Sequence, residues 1–404
     1  MNLFSLSLRN ILHRLFLSFL TVCAIGATVA FIVLFSLFRD SVEQGAEKGY
    51  GPFDLVIGAQ GSETQLVLNT FYHIGAPTGN IPASVLDEAR RDSGVDKAYA
   101  MTTGDNYNGF PVVGIDPEYF LTRYGDRKLK EGALYAVTGE SVVGSHVAKT
   151  LGLHVGDTFA GAHGLVEEAS GSHADEGEGE SGEHSHEGFL YTVTGILPKL
   201  NTPDDRAVFT TVDYAWAVHR LEGEEREITA VLVKPSTLLG AHNLKQSLDG
   251  NGSVQAVYTS KAVSDVVNAV DQGSRLVGIL AGLCVLLAAI TILLSLIAAA
   301  GERTKDAGLL RLLGKPQRYV WMTLVSEGLM LTLTGLAAGF LAGHLAALLF
   351  REMLYAQAGV QINPYLWNAD HGWIAAGTIM LGLLASLIPA FRMYRLQPLA
   401  LFKS

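Results

Sequence analysis

Residues 15–38 read LFLSFLTVCAIGATVAFIVLFSLF, an uninterrupted apolar run of 24 residues between Arg14 and Arg39. A bilayer core about 30 Å thick is crossed by about 20 helical residues, so this run is long enough to span a membrane. Three further apolar stretches of this kind follow at 276–301, 319–350 and 372–391, of which the middle one contains the acid Glu327. The sequence therefore predicts four membrane-spanning helices.

The positions of lysine and arginine predict how these spans are oriented, because basic residues flank spans on the cytoplasmic side. They are concentrated in residues 1–14, 302–318 and 392–404, whereas residues 351–371 contain one arginine and two acids. We therefore expect a multi-pass protein of the inner (plasma) membrane, with both termini and the 302–318 segment in the cytoplasm. Residues 39–275 and the 351–371 loop are expected outside the membrane.

The segment between the first two spans, 39–275, has the mixed texture of an α+β domain. Helices are expected at 81–93, 146–151 and 238–248, with strands at 54–58, 111–115, 190–196 and 228–233. Ser145 is expected to cap the second of these helices and Gly152 to end it. The segment contains 18 Lys+Arg and 34 Asp+Glu, an acidic balance that argues against a nucleic-acid partner.

A stripe of valines at helical spacing leads from the outer domain into the second span. The stripe consists of Val263, Val266, Val267 and Val270. It predicts one stalk helix from Ser260 into the 276–301 span, with a matching stalk over residues 39–48. The predicted fold class is an α-helical four-span bundle plus a large α+β extracytoplasmic domain between spans 1 and 2.

Residues 166–188, VEEASGSHADEGEGESGEHSHEG, differ from the rest of the outer domain. They contain eight acids, three histidines and no basic residue. Because they offer so few apolar side chains for burial, we expect a disordered surface loop. The imidazoles of His173, His184 and His186, beside carboxylates, are suitable ligands for Zn²⁺. The alternative is a solvated acidic loop whose histidines have no ligand.

Small residues at four-residue spacing on two of the predicted spans indicate close helix packing. The third span contains Gly335, Gly339 and Gly343, and the second contains Gly278 and Gly282. The packing predicted from these glycines is within one subunit or across a homodimer. Glu327 is the intramembrane acid, for which we expect a structural contact near the cytoplasmic interface. An ion-path role is the alternative, since acids within spans are often functional.

Several segments resemble the MacB/FtsX-type ABC transporter permeases, in the order that this family has them. They are LFSLSLRNILHRLFLSFLTVCAIGATVA (3–30), VVGSHVAKTLGLHVGDTFAG (142–161), YTVTGILPKLNTPDDRAVFTTVDYA (191–215), GERTKDAGLLRLLGKPQRYV (301–320) and SLIPAFRMYRLQPLALF (386–402). The sequence departs from the family pattern at Asp306, where Glu is commoner, at Ala307, which replaces Ile, and at Met393, which replaces a small residue. The resemblance implies a MacB-like periplasmic core domain over 39–275. Residues 54–82 look like a subfamily signature whose role the sequence does not indicate.

The resemblance further implies that residues 302–318 form a coupling helix that docks in a groove of a separate cytoplasmic ABC ATPase. The implied coupling residues are Arg303, Gly308, Leu309, Leu310, Arg311, Leu313 and Gly314. Leucines beside basic residues also suit an interfacial helix that holds lipid headgroups, which is the alternative from the residues alone. ATP and Mg²⁺ are expected on the partner chain, and two permeases are expected to pair.

The chain itself is predicted to be neither an ATPase nor any other enzyme. Gly308–Pro316 reads GLLRLLGKP, in which five residues separate the glycines and Pro316 replaces the Mg²⁺-binding hydroxyl of a phosphate loop. The resemblance implies mechanotransmission, in which ATP-driven closure moves the outer domain. The histidine-rich segment favours zinc-linked transport or export, with a periplasmic binding or accessory protein. The alternative is an FtsX-like signalling permease that activates a periplasmic partner such as a cell-wall hydrolase.

Overall fold

The computed structural model describes residues 3–163, 185–219, 226–250, 252–302, 314–358 and 361–395. The chain divides into two compact units. One unit comprises Met1–Val42 and Val270–Ser404, and the other comprises Glu43–Ala269. The first contains the four predicted spans and the second contains most of the segment between spans 1 and 2.

The helices of the described residues are, in chain order, α1 Leu3–His13, α2 Leu15–Gly49, α3 Glu63–Tyr72, α4 Ser84–Arg91, α5 Glu118–Tyr124, α6 Ser145–Leu151, α7 Asp213–His219, α8 Leu238–Asp249, α9 Thr259–Glu302, α10 Gln317–Ala358 and α11 Ala369–Arg395. A short 3-10 helix covers Pro203–Arg206. The strands are β1 Leu55–Ala59, β2 Ile81–Pro82, β3 Val95–Tyr107, β4 Phe110–Ile115, β5 Glu131–Gly132, β6 Glu140–Val143, β7 Thr158–His163, β8 Ser185–Ile196, β9 Val208–Thr210, β10 Glu227–Ile228, β11 Ala230–Pro235 and β12 Val254–Tyr258.

Four of these helices are long and apolar enough to cross a membrane. The candidate spans are Leu15–Ala46, Thr259–Ala298, Gln317–Tyr355 and Ala369–Phe391. Most of their buried side chains form one cluster, in which α2 contributes a stripe at four-residue intervals, and Leu324 and Ala390 form a second, smaller cluster. The stripe consists of Ile25, Val29, Val33 and Leu37, and it packs with Ala288, Ile292 and Leu296 of α9, Leu336 and Ala347 of α10 and Ala385 of α11.

The second unit is built around a mixed sheet with strand order β12-β1-β11-β3-β4-β9-β6-β8-β5, and β7 pairs with β3 and β8. The β4–β9 and β6–β8 pairs are parallel, whereas the other pairs are antiparallel. Leu55 and Ile57 of β1 belong to one core cluster, and Val56 between them belongs to another. Both faces of this strand are therefore buried, which explains why its sequence is continuously apolar.

Helices cover the two faces of the sheet. Leu66, Val67 and Phe71 of α3 pack into one cluster, together with Tyr119 and Phe120 of α5. The opposite cluster contains side chains of α4 and α8, namely Val85, Ala89, Leu244 and Leu248. The fold class predicted from the sequence, a four-span bundle with an α+β domain between spans 1 and 2, is confirmed.

The structure corrects three local predictions. Residues 81–93 are not one helix, because Ile81 pairs with Ile228 in a short two-stranded sheet and the helix begins only at Ser84. Ser145 does not cap α6, since Gly144 is the N-cap and the Ser145 hydroxyl instead donates to Asp205 at 2.9 Å.

The third correction concerns residues 185–188, which were expected to be disordered as part of the 166–188 loop. These four residues begin strand β8, where the backbone of Ser185 pairs in register with Ala162 of β7. The remainder of the loop, up to His184, lies outside the described residues.

Candidate functional site

The predicted ATPase-coupling residues lie almost entirely outside the described ranges. This applies to Arg303, Gly308, Leu309, Leu310, Arg311 and Leu313. Gly314 is described and has a φ of 86°, a left-handed conformation that glycine adopts without strain. It lies in the turn that precedes α10, where the Tyr319 amide donates to the Pro316 carbonyl at 2.9 Å. Docking of this segment on an ATPase remains a prediction.

The histidines predicted to bind metal are also mostly outside the described residues. His173 and His184 belong to that part of the chain, and only the backbone of His186 is described, within β8. Within the described ranges, no group of three or more His, Cys, Asp or Glu side chains is placed to hold a metal ion. Zinc binding therefore stays a hypothesis about the 166–188 segment.

The glycines of α10 lie against α2. A Cβ built on Gly335 would be 2.7 Å from the Cβ of Ile25, and one on Gly343 would be 3.0 Å from the Cβ of Val33. Gly339 lies between them and faces Val29 at 2.6 Å. Real Cβ atoms essentially never come closer than 3.0 Å, so Gly335 and Gly339 allow the two helices to approach and Gly343 lies at that limit.

The glycines of α9 are in a different environment. Nothing in the described part of the chain lies within 4 Å of a Cβ built on Gly278 or on Gly282. Leu276, Ile279 and Leu283 on the same stretch are exposed. This face of α9 is therefore uncovered in a single copy of the protein, and in a membrane it would face lipid or another protein.

Glu327 is buried in α10, with 3 % of its surface exposed. The hydroxyl of the adjacent Ser326 forms a hydrogen bond of 2.6 Å with the hydroxyl of Ser7 in α1. The Ser7 hydroxyl also donates to the Thr323 carbonyl at 3.4 Å. The intramembrane acid therefore lies in the turn of α10 that contacts the N-terminal helix. The structural contact expected for Glu327, and the alternative ion-path role, both remain predictions.

A polar and aromatic cluster lies where α10 and α11 approach each other near the start of α11. The rings of His344 and His371 stack with centroids 5.3 Å apart, and Trp367 stacks on His344 at 5.2 Å. The Nδ1 atom of His344 lies 2.7 Å from the Pro364 carbonyl oxygen, so it donates a hydrogen bond there. Exposed Trp367 beside this cluster suits an interfacial aromatic belt.

The second unit contains a fully buried carboxylate, Asp204, which the sequence did not single out. Its Oδ2 accepts hydrogen bonds from the hydroxyls of Tyr119 at 2.8 Å and Tyr124 at 2.7 Å. Its Oδ1 lies 3.1 Å from Nε2 of His73, and the Arg123 guanidinium lies 3.5 Å from Oδ2. Burial would raise the pKa of Asp204, but the Arg123 charge and the His73 hydrogen bond outweigh it and lower the pKa to about 2.

The neighbouring Asp205 is also buried but has different partners. Its carboxylate accepts from the Leu200 and Asn201 amides at 2.9 and 2.8 Å, and from the Ser145 hydroxyl. Here burial outweighs the hydrogen bonds and raises the pKa of the carboxyl. The two adjacent acids therefore join different elements: Asp204 connects α3 to α5, whereas Asp205 connects α6 to the loop before the 3-10 helix.

The signature segment 54–82 supplies part of this cluster. It forms β1, α3 and β2, and His73 follows directly after α3 with a φ of 56°. This left-handed C-cap turns the imidazole toward Asp204. His73 is 131 residues from Asp204 in the sequence, and so local patterns gave no signal that they meet. The only local feature that could have drawn attention to this cluster is the adjacent pair of acids, Asp204 and Asp205, in the segment 191–215.

The comparisons with known proteins agree with this architecture. Residues 18–242 match the family model of the MacB-like periplasmic core domain, and residues 278–398 match that of the FtsX-like permease C-terminal region. No match to a curated protein is found.

The solved structures that are similar to this chain include two transporter domains. One is the extracellular domain of the noncanonic ABC-type transporter YknZ from Gram-positive bacteria, with 10 % identity, a TM-score of 0.32, and coverage of 50 % of this chain and 98 % of that chain. The other is the periplasmic region of MacB from Actinobacillus actinomycetemcomitans, with 14 % identity, a TM-score of 0.34, and coverage of 54 % and 95 %.

Four candidate spans with an α+β domain between the first and second define a multi-pass membrane protein of the permease class. The core-domain model alone matches more than half of the chain. The chain belongs to the MacB/FtsX family of ABC transporter permeases, a family that works with a cytoplasmic ABC ATPase.

Proposed function

We propose that this permease couples ATP hydrolysis on a separate ATPase chain to movement of its outer domain, that is, mechanotransmission. The observation that carries the proposal is the continuity of two helices. Helix α2 runs from Leu15 to Gly49 and α9 from Thr259 to Glu302, each without a break at the boundary between the two units. An unbroken helix is stiff along its axis, so displacement at one end is carried to the other.

The orientation follows from the distribution of basic residues. The N-terminus, the 302–318 segment and the C-terminal tail lie in the cytoplasm, and residues 39–275 lie outside the inner membrane. The 302–318 segment docks on the ATPase, which binds ATP and Mg²⁺. Two copies of the permease pair. The second copy packs on the uncovered face of α9, where the small residues Gly278 and Gly282 allow close approach.

Docking is tested by changing the apolar face of the coupling segment. Leu309→Asp or Leu313→Asp places a carboxylate in the proposed groove contact, and the ATPase should no longer co-purify with the permease. Leu309→Met is the matched control, because it retains an apolar side chain of similar volume and should retain the ATPase. Equal ATPase recovery with Leu309→Asp and Leu309→Met, in permeases of equal thermal stability, would refute docking at this segment.

The acidic segment 166–188 is the part of the chain that indicates a substrate class. Its three histidines among eight acids support zinc-linked transport, with a periplasmic metal-binding protein as the accessory partner. The competing function is signalling to a periplasmic partner such as a cell-wall hydrolase. It rests on the resemblance to FtsX-like permeases, which activate such partners.

Gene neighbourhood separates these two functions without a biochemical assay. A gene for a periplasmic metal-binding protein beside this one supports zinc-linked transport. A gene for a wall hydrolase in that place supports signalling and contradicts zinc-linked transport.

A further inference from the structure

Helix α2 ends inside the second unit, where side chains from two other helices hold its last turn. The final carbonyls of a helix have no partner within the helix and must find one elsewhere. The Ala46 carbonyl accepts a hydrogen bond from the Tyr72 hydroxyl at 2.6 Å, and the Gly49 carbonyl accepts one from the Arg123 guanidinium. Tyr72 ends α3 and Arg123 lies in α5, so two separate elements contact the same turn of α2.

Gly49 makes this close contact possible. A Cβ built at this position would overlap the ring of Tyr72, so any larger residue would push Tyr72 away from the helix end. The Arg123 side chain is 1 % exposed, and its guanidinium lies 5.5 and 5.3 Å from the ring centroids of Tyr119 and Tyr124. A cation placed at a helix C-terminus also complements the helix dipole.

Asp204 connects these two side chains to the central sheet. It pairs with Arg123 directly, and it holds His73, the residue next to Tyr72. Asp204 itself lies in the 3-10 helix that leads into strand β9. Tyr72, His73, Arg123 and Asp204 therefore form one connected set, here called the stalk joint. All four residues and the α2 turn that they hold belong to the second unit.

We infer that the stalk joint transmits movement of α2 to the sheet of the outer domain, with Arg123 as the positioning residue. The inference rests on the proposed function, which it deepens by assigning a role to the Tyr72–His73 part of the signature segment. Net stability is a weak reason for such an arrangement, because well-packed apolar residues commonly stabilise a core as much as a buried ion pair does. Hydrogen bonds to two carbonyls of one turn, in contrast, fix both the position and the rotation of the helix end.

The test uses the full-length permease with the ATPase that co-purifies with it, in lipid nanodiscs. Cys23 and Cys284, the two cysteines of the chain, are replaced by alanine, and a dye is attached at Lys149→Cys on the exposed surface of α6. Energy transfer to an acceptor lipid then reports displacement of the outer domain when ATP, Mg²⁺ and vanadate are added. ATP turnover is measured on the same samples.

The main variant is the double substitution Arg123→Met with Asp204→Asn, which avoids leaving one buried charge alone. Tyr72→Phe is a milder second variant that removes only the hydroxyl contacting Ala46. Glu118→Gln is the matched control, because it breaks the exposed Lys97–Glu118 pair on the same helix α5 without touching the stalk joint. Hydrogen exchange of the β1 and β11 amides verifies that each variant retains its sheet.

In the double variant, the nucleotide-dependent change in energy transfer should fall by about threefold or more, the scale expected when a step of a coupled network is removed. Its ATP turnover and sheet protection should stay near wild type. Tyr72→Phe should give a smaller loss in the same direction, and Glu118→Gln none. A full-sized change in both joint variants would overturn the inference and leave the proposed function standing. A wild-type complex that hydrolyses ATP with no change in energy transfer would overturn both.

Discussion

Gly339 of α10 faces Val29 of α2 so closely that a Cβ built on it would lie 2.6 Å from the valine Cβ. Val29 is almost completely buried, and its neighbours in the bundle core leave it little room to move. Gly339→Ala should therefore separate α2 from α10 and destabilise the bundle by about 1–3 kcal/mol, the usual cost of overpacking. Thermal inactivation or aggregation of the purified permease in detergent measures this loss.

Gly282→Ala is the matched control for that experiment. Nothing in the described residues lies within 4 Å of its added Cβ, and alanine is the better helix former. We expect no loss of stability in a monomer, whereas a lower fraction of dimer would locate the second copy on this face of α9. A Gly339→Ala permease as stable as wild type would contradict the close packing of α2 on α10.

The buried Asp204 predicts how the stability of the outer domain depends on pH. Its folded-state pKa of about 2 lies below the ordinary 3.8, so the unfolded chain binds the proton first as the pH falls. The stabilisation is present above about pH 4 and is lost as the pH falls toward about 2. The ionised Asp204 contributes about 2 kcal/mol to the free energy of unfolding. Denaturant unfolding of the permease at several pH values, followed by circular dichroism, measures this slope.

Asp204→Asn should flatten this dependence of stability on pH. It should also lower the free energy of unfolding near neutral pH by about 3–5 kcal/mol, because the buried Arg123 charge loses its carboxylate partner. Asp205→Asn should act in the opposite sense on the slope. Burial raises the pKa of Asp205, so wild type gains stability from this carboxyl as the pH falls, and removing it should steepen the acid loss. If both variants changed the pH dependence of stability in the same direction, the opposite pKa shifts of Asp204 and Asp205 would be contradicted.

The proposed membrane topology predicts on which side of the membrane four positions lie. Reporter fusions after residues 100 and 360 should be active outside the membrane, and fusions after residues 310 and 404 should be active in the cytoplasm. The reason is the concentration of lysine and arginine at the termini and in 302–318. Finding residue 100 in the cytoplasm would invert the orientation and exclude the proposed contact with a cytoplasmic ATPase.

The sequence predicted the elements whose signals are local. A span is recognised from length and absence of charge, and strands 54–58 and 111–115 from apolar residues between Gly or Pro. The structure places strands at Leu55–Ala59 and Phe110–Ile115. The helix expected at 81–93 was partly wrong because Ile81 obtains its partner, Ile228, from a distant part of the chain. No periodicity within the segment itself could indicate that pairing.

The stalk joint was missed for the same physical reason. Asp204 stands next to Asp205 in a domain with many acids, and nothing in the local sequence marks one as buried against Arg123 and the other against Ser145. Tyr119 reaches Asp204 across 85 residues, and His73 reaches it across 131. Such contacts between distant residues leave no signal in the local sequence. The glycines of α10 were visible in the sequence, but their partner helix was not.

The last prediction concerns the acidic segment. If residues 166–188 collect metal, the purified outer domain (39–275) should bind Zn²⁺ with a dissociation constant of about micromolar or weaker, because the ion itself must order the chain around it. Binding should fade as the pH falls through about 6.5, since imidazole ligands must be neutral. Replacing His173, His184 and His186 together by alanine should remove most of it, as measured by calorimetry.

A matched control replaces three histidines outside the segment, His146, His154 and His242, and should leave Zn²⁺ binding unchanged. Weak binding of Ca²⁺ or Zn²⁺ by the acids alone is expected to survive the triple substitution at 173, 184 and 186, because carboxylates also bind these ions. If the domain and its triple variant bound Zn²⁺ with equal affinity, the three histidines would not be ligands. The zinc-linked function would then lose the feature that distinguishes it from signalling, and the FtsX-like alternative would be favoured.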